Sequence, residues 1–232
     1  MSRDVYTAMS GAQATWKELE ILANNVANVN TTGYRAGRVA FSVTGEGEGP
    51  LGQTTTTLDG VALSRSQGSL KASNDPSHMA INGEGFFTVA AGDETLLTRD
   101  GRFAVDNSGR LVDQSGNAVL GEGGPIQLEV GESFAVSKDG VIVGSTSGEV
   151  GRLRVALADE VTPAGGNHYR AIGELRNAVD YGVVQGQLEG SNTDPMRSMV
   201  ELVEASRYFE ACQKAIQASD ELDQRANRSG GR

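Results

Sequence analysis

The chain has 232 residues, a formal net charge of −10 and 31 glycines. This acidic balance argues against nucleic acid or an anionic membrane surface as a partner, because both are bound through clustered lysine and arginine. No run approaches the roughly 18 apolar residues of a membrane-spanning helix. The single cysteine, Cys212, excludes an internal disulfide framework and a cysteine-based metal site.

The N-terminal segment predicts a helix over residues 4–29. Residues 1–30 contain one glycine and no proline, and their apolar residues recur at alternating steps of four and three. This spacing is typical of a narrow stripe that packs on a partner helix. The stripe comprises Val5, Met9, Ala12, Trp16, Leu19, Ala23 and Val26.

Four asparagines close to the end of this helix have two interpretations. They either fray and cap the helix, because asparagine competes for backbone hydrogen bonds, or they form hydrogen bonds between subunits that set the register. Gly33 is expected to end the helix as a left-handed C-terminal residue. The asparagines are Asn24, Asn25, Asn28 and Asn30.

The middle of the chain is predicted to be β structure. Aspartate- and glycine-containing turn signals stand seven or eight residues apart, as in a meander of short antiparallel strands. Residues 36–67 are harder to place, with a flexible acidic loop expected at 45–50 and an extended ribbon at 53–58. The other expected strands are 80–83, 85–89, 102–105, 110–112, 117–120, 126–130, 133–137, 140–143 and 152–157.

The C-terminal segment predicts a second helix, from about residue 195 to 226. Asp194 is a suitable N-cap, and Pro195 suits the first helical position. Apolar and small residues recur at steps of three or four in a stripe of Met199, Leu202, Ala205, Phe209, Cys212, Ile216, Ser219 and Leu222. A second apolar line contains Met196, Val200 and Val203.

No catalytic, cofactor-binding or metal-binding constellation emerges from the sequence, so we expect neither an enzyme nor a cofactor. His78 and His168 lack the neighbours of a metal site, and His168 is expected at the surface or at a sheet edge. Residues 98–100 are interpreted as an ordinary turn with an ion pair, and Cys212 as a packed small side chain. The two stripes pack either on each other or on other chains, so a monomeric β-domain binding module remains an alternative to an assembly protein.

Several segments, in order along the chain, resemble the bacterial flagellar basal-body rod and hook family. The segment NNVANVNTTGYR at residues 24–35 is similar to the motif that ends the family's N-terminal helix. Residues 68–70, 80–89 and 97–112 resemble its central motifs, and 186–194 resembles the start of its C-terminal helix. Residues 73–79 depart from the family pattern, which affects only the local packing expected there.

The resemblance implies an α+β fold, with a central, mainly antiparallel β domain flanked by long terminal helices paired in a coiled-coil-like bundle. The expected segments are an axial helix with its motif (1–35), a linker (36–67), the β domain (68–188) and a second axial helix with a tail (189–232). Residue by residue, the assembly interface is expected at Val5, Met9, Trp16, Leu19, Ala23, Asn24, Asn25, Val26, Asn28, Asn30, Gly33, Met199, Leu202, Phe209, Ile216 and Leu222.

The resemblance also implies a structural subunit of the flagellar rod, which polymerises helically, transmits torque and lines the export channel. Length leaves a proximal or a distal rod position within the family. The run at residues 121–126, with 151–154, and the compact segment after Tyr34 resemble the proximal type more closely. The implied partners are copies of the chain, other rod proteins and the flagellar export apparatus, without nucleic acid or membrane insertion. The implied location is the periplasm-spanning rod of the basal body, reached without a cleaved leader.

Overall fold

The computed structural model describes residues 3–44 and 55–229. It is an α+β structure, as expected, with helix α1 (Arg3–Ala27) near its start and helix α2 (Pro195–Ser229) near its end. The strands between them are β1 (Gly37–Thr44), β2 (Thr55–Leu63), β3 (Leu70–Ala72), β4 (Met79–Gly83), β5 (Phe86–Ala91), β6 (Glu94–Thr98), β7 (Ala104–Val105), β8 (Leu111–Val112), β9 (Ala118–Gly121), β10 (Gly124–Pro125), β11 (Phe134–Val136), β12 (Val141–Gly144), β13 (Gly148–Arg152), β14 (Val155–Leu157), β15 (Glu160–Gly165), β16 (His168–Ile172), β17 (Arg176–Asn177), β18 (Tyr181–Gln185) and β19 (Gln187–Glu189).

The chain divides into two compact units, which we call the helical unit and the β unit. The described residues of the helical unit are 3–27, 37–44, 55–62 and 194–229. The β unit contains residues 28–36 and 63–193. The end of the asparagine-rich motif and the residues just before α2 therefore pack within the β unit.

In the helical unit, α1 contacts both α2 and strand β1, and β1 pairs with β2. Helix α1 ends at Ala27, two residues before the expected end, because residues 28–33 form turns. Helix α2 begins as predicted. The Asp194 carboxylate accepts hydrogen bonds from the backbone N–H groups of Met196 (3.1 Å) and Arg197 (3.2 Å), which caps the helix.

The β unit is built around one large sheet whose described strand pairs are antiparallel. Its main path runs β15-β16-β6-β5-β9-β8-β7, with β14, β17 and β10 attached to it. A three-stranded sheet, β11-β12-β13, and the pairs β18-β4 and β19-β3 complete the unit. The predicted antiparallel β region is therefore confirmed.

The main core of the β unit lies between these sheets. Phe87 and Phe103 meet edge to face, with ring centroids 5.0 Å apart, a favoured aromatic geometry. They share this core with the buried side chains of Met79, Ile81, Val89, Leu111, Val119, Ile126, Leu128, Ile142, Leu153, Val155 and Val183. Strands supply alternate residues such as Met79 and Ile81 to this interior. Phe103, Ile126, Leu128 and Leu153 belong to the same core but lie outside the strands.

The turn signals form turns as predicted, but one predicted strand was wrong. Asp106 and Asp113 each accept a hydrogen bond from the backbone N–H two residues later, at 2.8 Å. Residues 126–130 do not form a strand, since Gln127 makes only an isolated bridge with Arg110. The acidic loop expected at residues 45–50 lies outside the described residues.

Candidate assembly surface

The apolar stripe predicted for α1 is not the face that α1 buries. Ile21 and Leu22 are buried, whereas Met9 and Ala23 are exposed and Trp16 is 62% exposed. Within the predicted stripe, Ala12, Leu19 and Val26 are half-buried, and the side chain of Val5 lies outside the described part of the chain. Part of the stripe therefore remains uncovered by the helical unit itself.

Helix α2 has apolar side chains on two opposite faces. Ala205 is buried, and four further members of the predicted stripe, Leu202, Phe209, Cys212 and Ile216, are half-buried. Met196, Met199, Val200 and Val203 are exposed. At about 100° per residue, the exposed side chains lie roughly opposite Ala205 and Phe209. The side chain of Leu222 lies outside the described part of the chain.

The inward face of α2 meets α1 through a tilted aromatic pair. The ring centroids of Trp16 and Phe209 are 5.8 Å apart. A Cβ atom added to Gly11 would lie 3.9 Å from the Cys212 sulfur, an ordinary van der Waals distance, so the two helices are in close contact here. Cys212 thus packs as a small side chain, as predicted.

Three of the asparagines near the end of α1 make local hydrogen bonds. Asn25 is buried, and its amide both donates to the Gly37 carbonyl and accepts from the Gly37 N–H, at 2.9 Å each. The Asn24 amide donates to the Glu20 carbonyl, and Asn28 accepts from the Thr31 hydroxyl. The two polar groups of Asn25 are therefore committed within its own chain.

Gly33 does not end α1 but anchors the motif inside the β unit. Its φ of 69° is left-handed, as predicted, and its N–H donates to the Glu189 carbonyl at 2.7 Å. A Cβ atom here would lie 2.3 Å from the Arg99 carbonyl carbon. Only glycine permits this approach in this conformation.

Three buried charged side chains contact one another within the β unit. We call them the connector cluster: Arg35, Arg99 and Glu189. Their exposed fractions are 2%, 3% and 1%. The two Glu189 carboxylate oxygens bind different arginines, with Oε1 3.0 Å from Arg35 Nη2 and Oε2 2.9 Å from Arg99 Nη1. Sequence reasoning gave residues 98–100 an ion pair but did not identify Glu189 as the partner of Arg99.

Other groups of the cluster bind backbone and an aromatic ring. Arg99 donates to the Ile81 and Gly83 carbonyls, and its guanidinium carbon lies 5.6 Å from the centre of the Phe86 ring. Burial lowers the pKa of Arg99 to about 10, against the opposing effect of Glu189, so it stays charged at neutral pH. The cluster therefore holds two positive charges against one negative charge.

Tyr169 extends the cluster towards strand β16. Its hydroxyl accepts a hydrogen bond from the Arg35 backbone N–H at 3.1 Å. Burial raises the pKa of Tyr169 to about 12, so the hydroxyl stays protonated at neutral pH. It also donates to the Asn167 side-chain oxygen, at 3.4 Å, and the Asn167 amide donates to the Thr32 carbonyl.

His168, expected at the surface or at a sheet edge, is instead buried in β16 between β15 and β6. Its Nε2 is 2.7 Å from Asp113 Oδ2, and its Nδ1 is 3.3 Å from the Gly165 carbonyl oxygen. The Asp113 hydrogen bond, opposed by burial, raises the pKa of His168. Burial alone would raise the pKa of Asp113, but hydrogen bonds from His168 and Asn117 lower it below its usual value.

Within residues 3–44 and 55–229, no helix is both long and apolar enough to cross a membrane. The same residues contain no group of three or more histidine, cysteine, aspartate or glutamate side chains placed to hold a metal ion.

Together, the antiparallel β unit and the terminal helices with exposed apolar faces define a structural assembly protein. Three family models match the chain. They describe the flagella basal body rod protein (residues 5–35), the flagellar hook protein FlgE/F/G D1 domain (80–144) and the flagellar basal body rod FlgEFG protein C-terminal region (184–229).

Curated relatives match over almost their whole length. Flagellar basal-body rod protein FlgF of Caulobacter vibrioides is 34% identical over 241 residues, covering 97% of each chain. FlgG of Bacillus subtilis is 32% identical, covering 96% of this chain and 97% of its own. FlgF of Salmonella typhimurium is 32% identical, covering 98% of each.

The chain belongs to the flagellar basal-body rod protein family. It is a structural rod subunit of the flagellar basal body. Its relatives are structural proteins, in agreement with the prediction that the chain is not an enzyme. Membership also indicates assembly with other flagellar rod proteins.

Proposed function

We propose that the chain polymerises helically through its terminal helices, transmits torque along the rod and surrounds the export channel. The observation that carries this proposal is the second apolar face of α2. Met196 is 72% exposed, and Met199, Val200 and Val203 are also exposed, although the opposite face of the helix is directed to α1. A helix that is apolar on both sides is suited to two partners at once.

The energetics favour another chain as the second partner. Burying one large apolar side chain contributes about 1.5–3 kcal/mol, and the exposed Met9 and Trp16 of α1 add to the surface available. Different patches on successive copies make a heterologous contact, which propagates into a helical polymer when the rotation does not close. Coiled-coil-like pairing of these helices with those of neighbouring copies is part of this proposal.

Of the two rod positions compatible with the sequence, we propose the proximal one. Relatives named FlgF and FlgG match at similar identity, so the support comes from the compact segment after Tyr34 and the run at residues 121–126. A label on the chain should appear at the cell-proximal end of isolated rods, whereas a label below the hook would contradict the proximal assignment.

We also propose that the chain reaches the rod through the flagellar export apparatus.

The assembly surface is tested by placing charge on the outer face of α2. The double variant Val200→Asp, Val203→Asp should retain a folded β unit, because neither side chain belongs to its core. It should abolish rods and motility, because two carboxylates would be buried at the contact between copies. Circular dichroism, electron microscopy of basal bodies and swimming assays provide the measurements.

A control places one carboxylate elsewhere on the same helix. Gln213 is exposed and lies outside the apolar line, so Gln213→Asp should leave rods and motility intact. Normal rods in cells carrying only the double variant would overturn the proposed surface. Sedimentation at several concentrations separates the proposal from a monomeric β-domain binding module, which would remain a monomer throughout.

A further inference from the structure

The chain crosses between the helical unit and the β unit near residues 27, 36, 62 and 193. At three of these crossings, the adjoining segments of the β unit are hydrogen-bonded to one another. The Ala36 N–H donates to Asn192 Oδ1 at 2.7 Å, and the Ser64 N–H donates to the Ala36 carbonyl at 2.8 Å. The Asn192 amide also donates to the Ser66 carbonyl at 2.8 Å. We call these segments, 33–36, 63–68 and 189–193, the connectors.

The connector cluster lies within the β unit and binds all three connectors. Glu189 belongs to the last connector and Arg35 to the first, and Arg35 Nη1 donates to the Ser66 carbonyl of the second. Glu189 Oε1 also accepts from the Gly68 N–H at 3.0 Å. Arg99, at the end of β6, holds the other carboxylate oxygen. One carboxylate thus joins the three connectors to the large sheet.

Stability alone does not explain a buried cluster of this composition. Removing charges from water is costly, and apolar replacements of buried ion pairs are often equally or more stable. Here the cost is increased by the second arginine, which leaves one positive charge in excess. Guanidinium groups do offer fixed directions, because their N–H donors form a rigid planar fork. The geometry is therefore better suited to orienting the connectors than to strengthening the core.

We propose that Arg35, Arg99 and Glu189 are positioning residues for rod assembly, which hold the connectors in the one arrangement from which the terminal helices meet neighbouring copies. This inference rests on the proposed function, since it requires the helices to be the assembling elements. The cluster acts through the connectors and does not itself touch another copy. Loss of the cluster should therefore increase local opening of residues 33–36 and 189–193 before it affects the large sheet.

The decisive variant is Glu189→Gln, which keeps the shape of the side chain and removes its charge. Hydrogen exchange of the full chain should accelerate about tenfold or more at the Gly33, Ala36 and Gly190 amides, which report local opening. Amides of β5 should exchange at the wild-type rate. The same variant should fail to support rods and swimming. Glu94→Gln is the matched control, because it breaks an exposed ion pair, with Arg170, in the same unit.

A second variant covers the case in which Glu189→Gln does not fold. Arg35→Lys keeps the positive charge but lacks the fork, so it should open the same amides with the β5 amides unchanged. Wild-type exchange at the connectors in a folded variant would overturn the inference. Normal rods despite open connectors would overturn it as well, while leaving the proposed function standing. Normal rods in Val200→Asp, Val203→Asp would instead remove the proposed function.

Discussion

Gly33 illustrates how one residue joins local conformation to long-range packing. Its left-handed backbone permits the turn after α1, and its missing side chain permits contact with the Arg99 backbone. Glycine loses more conformational freedom on folding than other residues, so its use here has a cost. The left-handed backbone and the missing side chain are therefore both required at this one position of the motif.

Gly33→Ala should destabilise the β unit by about 2 kcal/mol or more, because it adds steric overlap with the Arg99 backbone to the strain of a left-handed alanine. Urea unfolding provides the measurement. Gly92 has a φ of 62° and nothing within 4 Å of an added Cβ atom. Gly92→Ala should therefore cost only about 1 kcal/mol. Equal losses for the two variants would show that the close approach is unimportant.

The His168–Asp113 pair should make stability depend on pH. Because the folded pKa of His168 is raised, its stabilisation is complete below the unfolded value of about 6.5 and is lost as pH rises through the folded value. Because the folded pKa of Asp113 is lowered, its contribution is complete above its unfolded value of about 3.9 and is lost as pH falls through the folded value. The pair therefore stabilises most between about pH 4 and 6.5.

His168→Gln tests this window. The difference in unfolding free energy between the wild type and the variant should be larger at pH 6 than at pH 9, because the raised pKa of His168 favours the protonated pair only at the lower pH. Thermal unfolding across that range measures it. Gly92→Ala changes no titratable group, so as a control it should leave the pH dependence of the wild type in place. A difference that is independent of pH for His168→Gln would show that the pair does not titrate as described.

At the scale of elements, the terminal helices differ from the strands in what they leave uncovered. The β unit buries its large aromatic residues Phe87 and Phe103 almost completely, whereas α1 leaves Trp16 largely exposed and α2 leaves Met196 exposed. Tertiary packing supplies most of a helix's stability in proteins. Association with another chain would therefore stabilise the two terminal helices most, because it would bury their exposed apolar faces.

Trp16 is the sole tryptophan of the chain, so the tryptophan fluorescence of the protein reports on the exposed face of α1 alone. In dilute protein its emission should be that of a solvated indole, and self-association should shift the emission to shorter wavelength as the ring is buried. The double variant Val200→Asp, Val203→Asp should show no shift over the same concentrations. Growth in sedimentation without any spectral shift would exclude Trp16 from the contact between copies.

The helices and the β region were predictable because their signals are local. Asp194 and Pro195 mark the start of α2, and turn residues such as Asp106 and Asp113 separate short strands. The face that α1 buries was not predictable, because apolar spacing identifies a stripe but not which partner covers it. Residues 126–130 are β-prone but lack a continuous partner strand.

At the scale of the whole molecule, the connector cluster could not be predicted from sequence periodicity. Arg35, Arg99 and Glu189 belong to three separated segments, and charged residues are rarely buried without partners. The resemblance of residues 24–35, 97–112 and 186–194 to one family was the only signal in the sequence that included all three. That resemblance indicated the family but gave no information about the carboxylate that joins them.

The hydrogen bond from Ala36 to Asn192 spans 156 residues of sequence. Closing a loop of this length has an entropic cost that grows only with the logarithm of its size, but contacts of such separation are typical of slow folding. A chain that emerges from its N-terminus onwards cannot make this bond until nearly the whole β unit has followed. The first connector therefore forms its hydrogen bond to Asn192 late, shortly before the C-terminal helix itself becomes available.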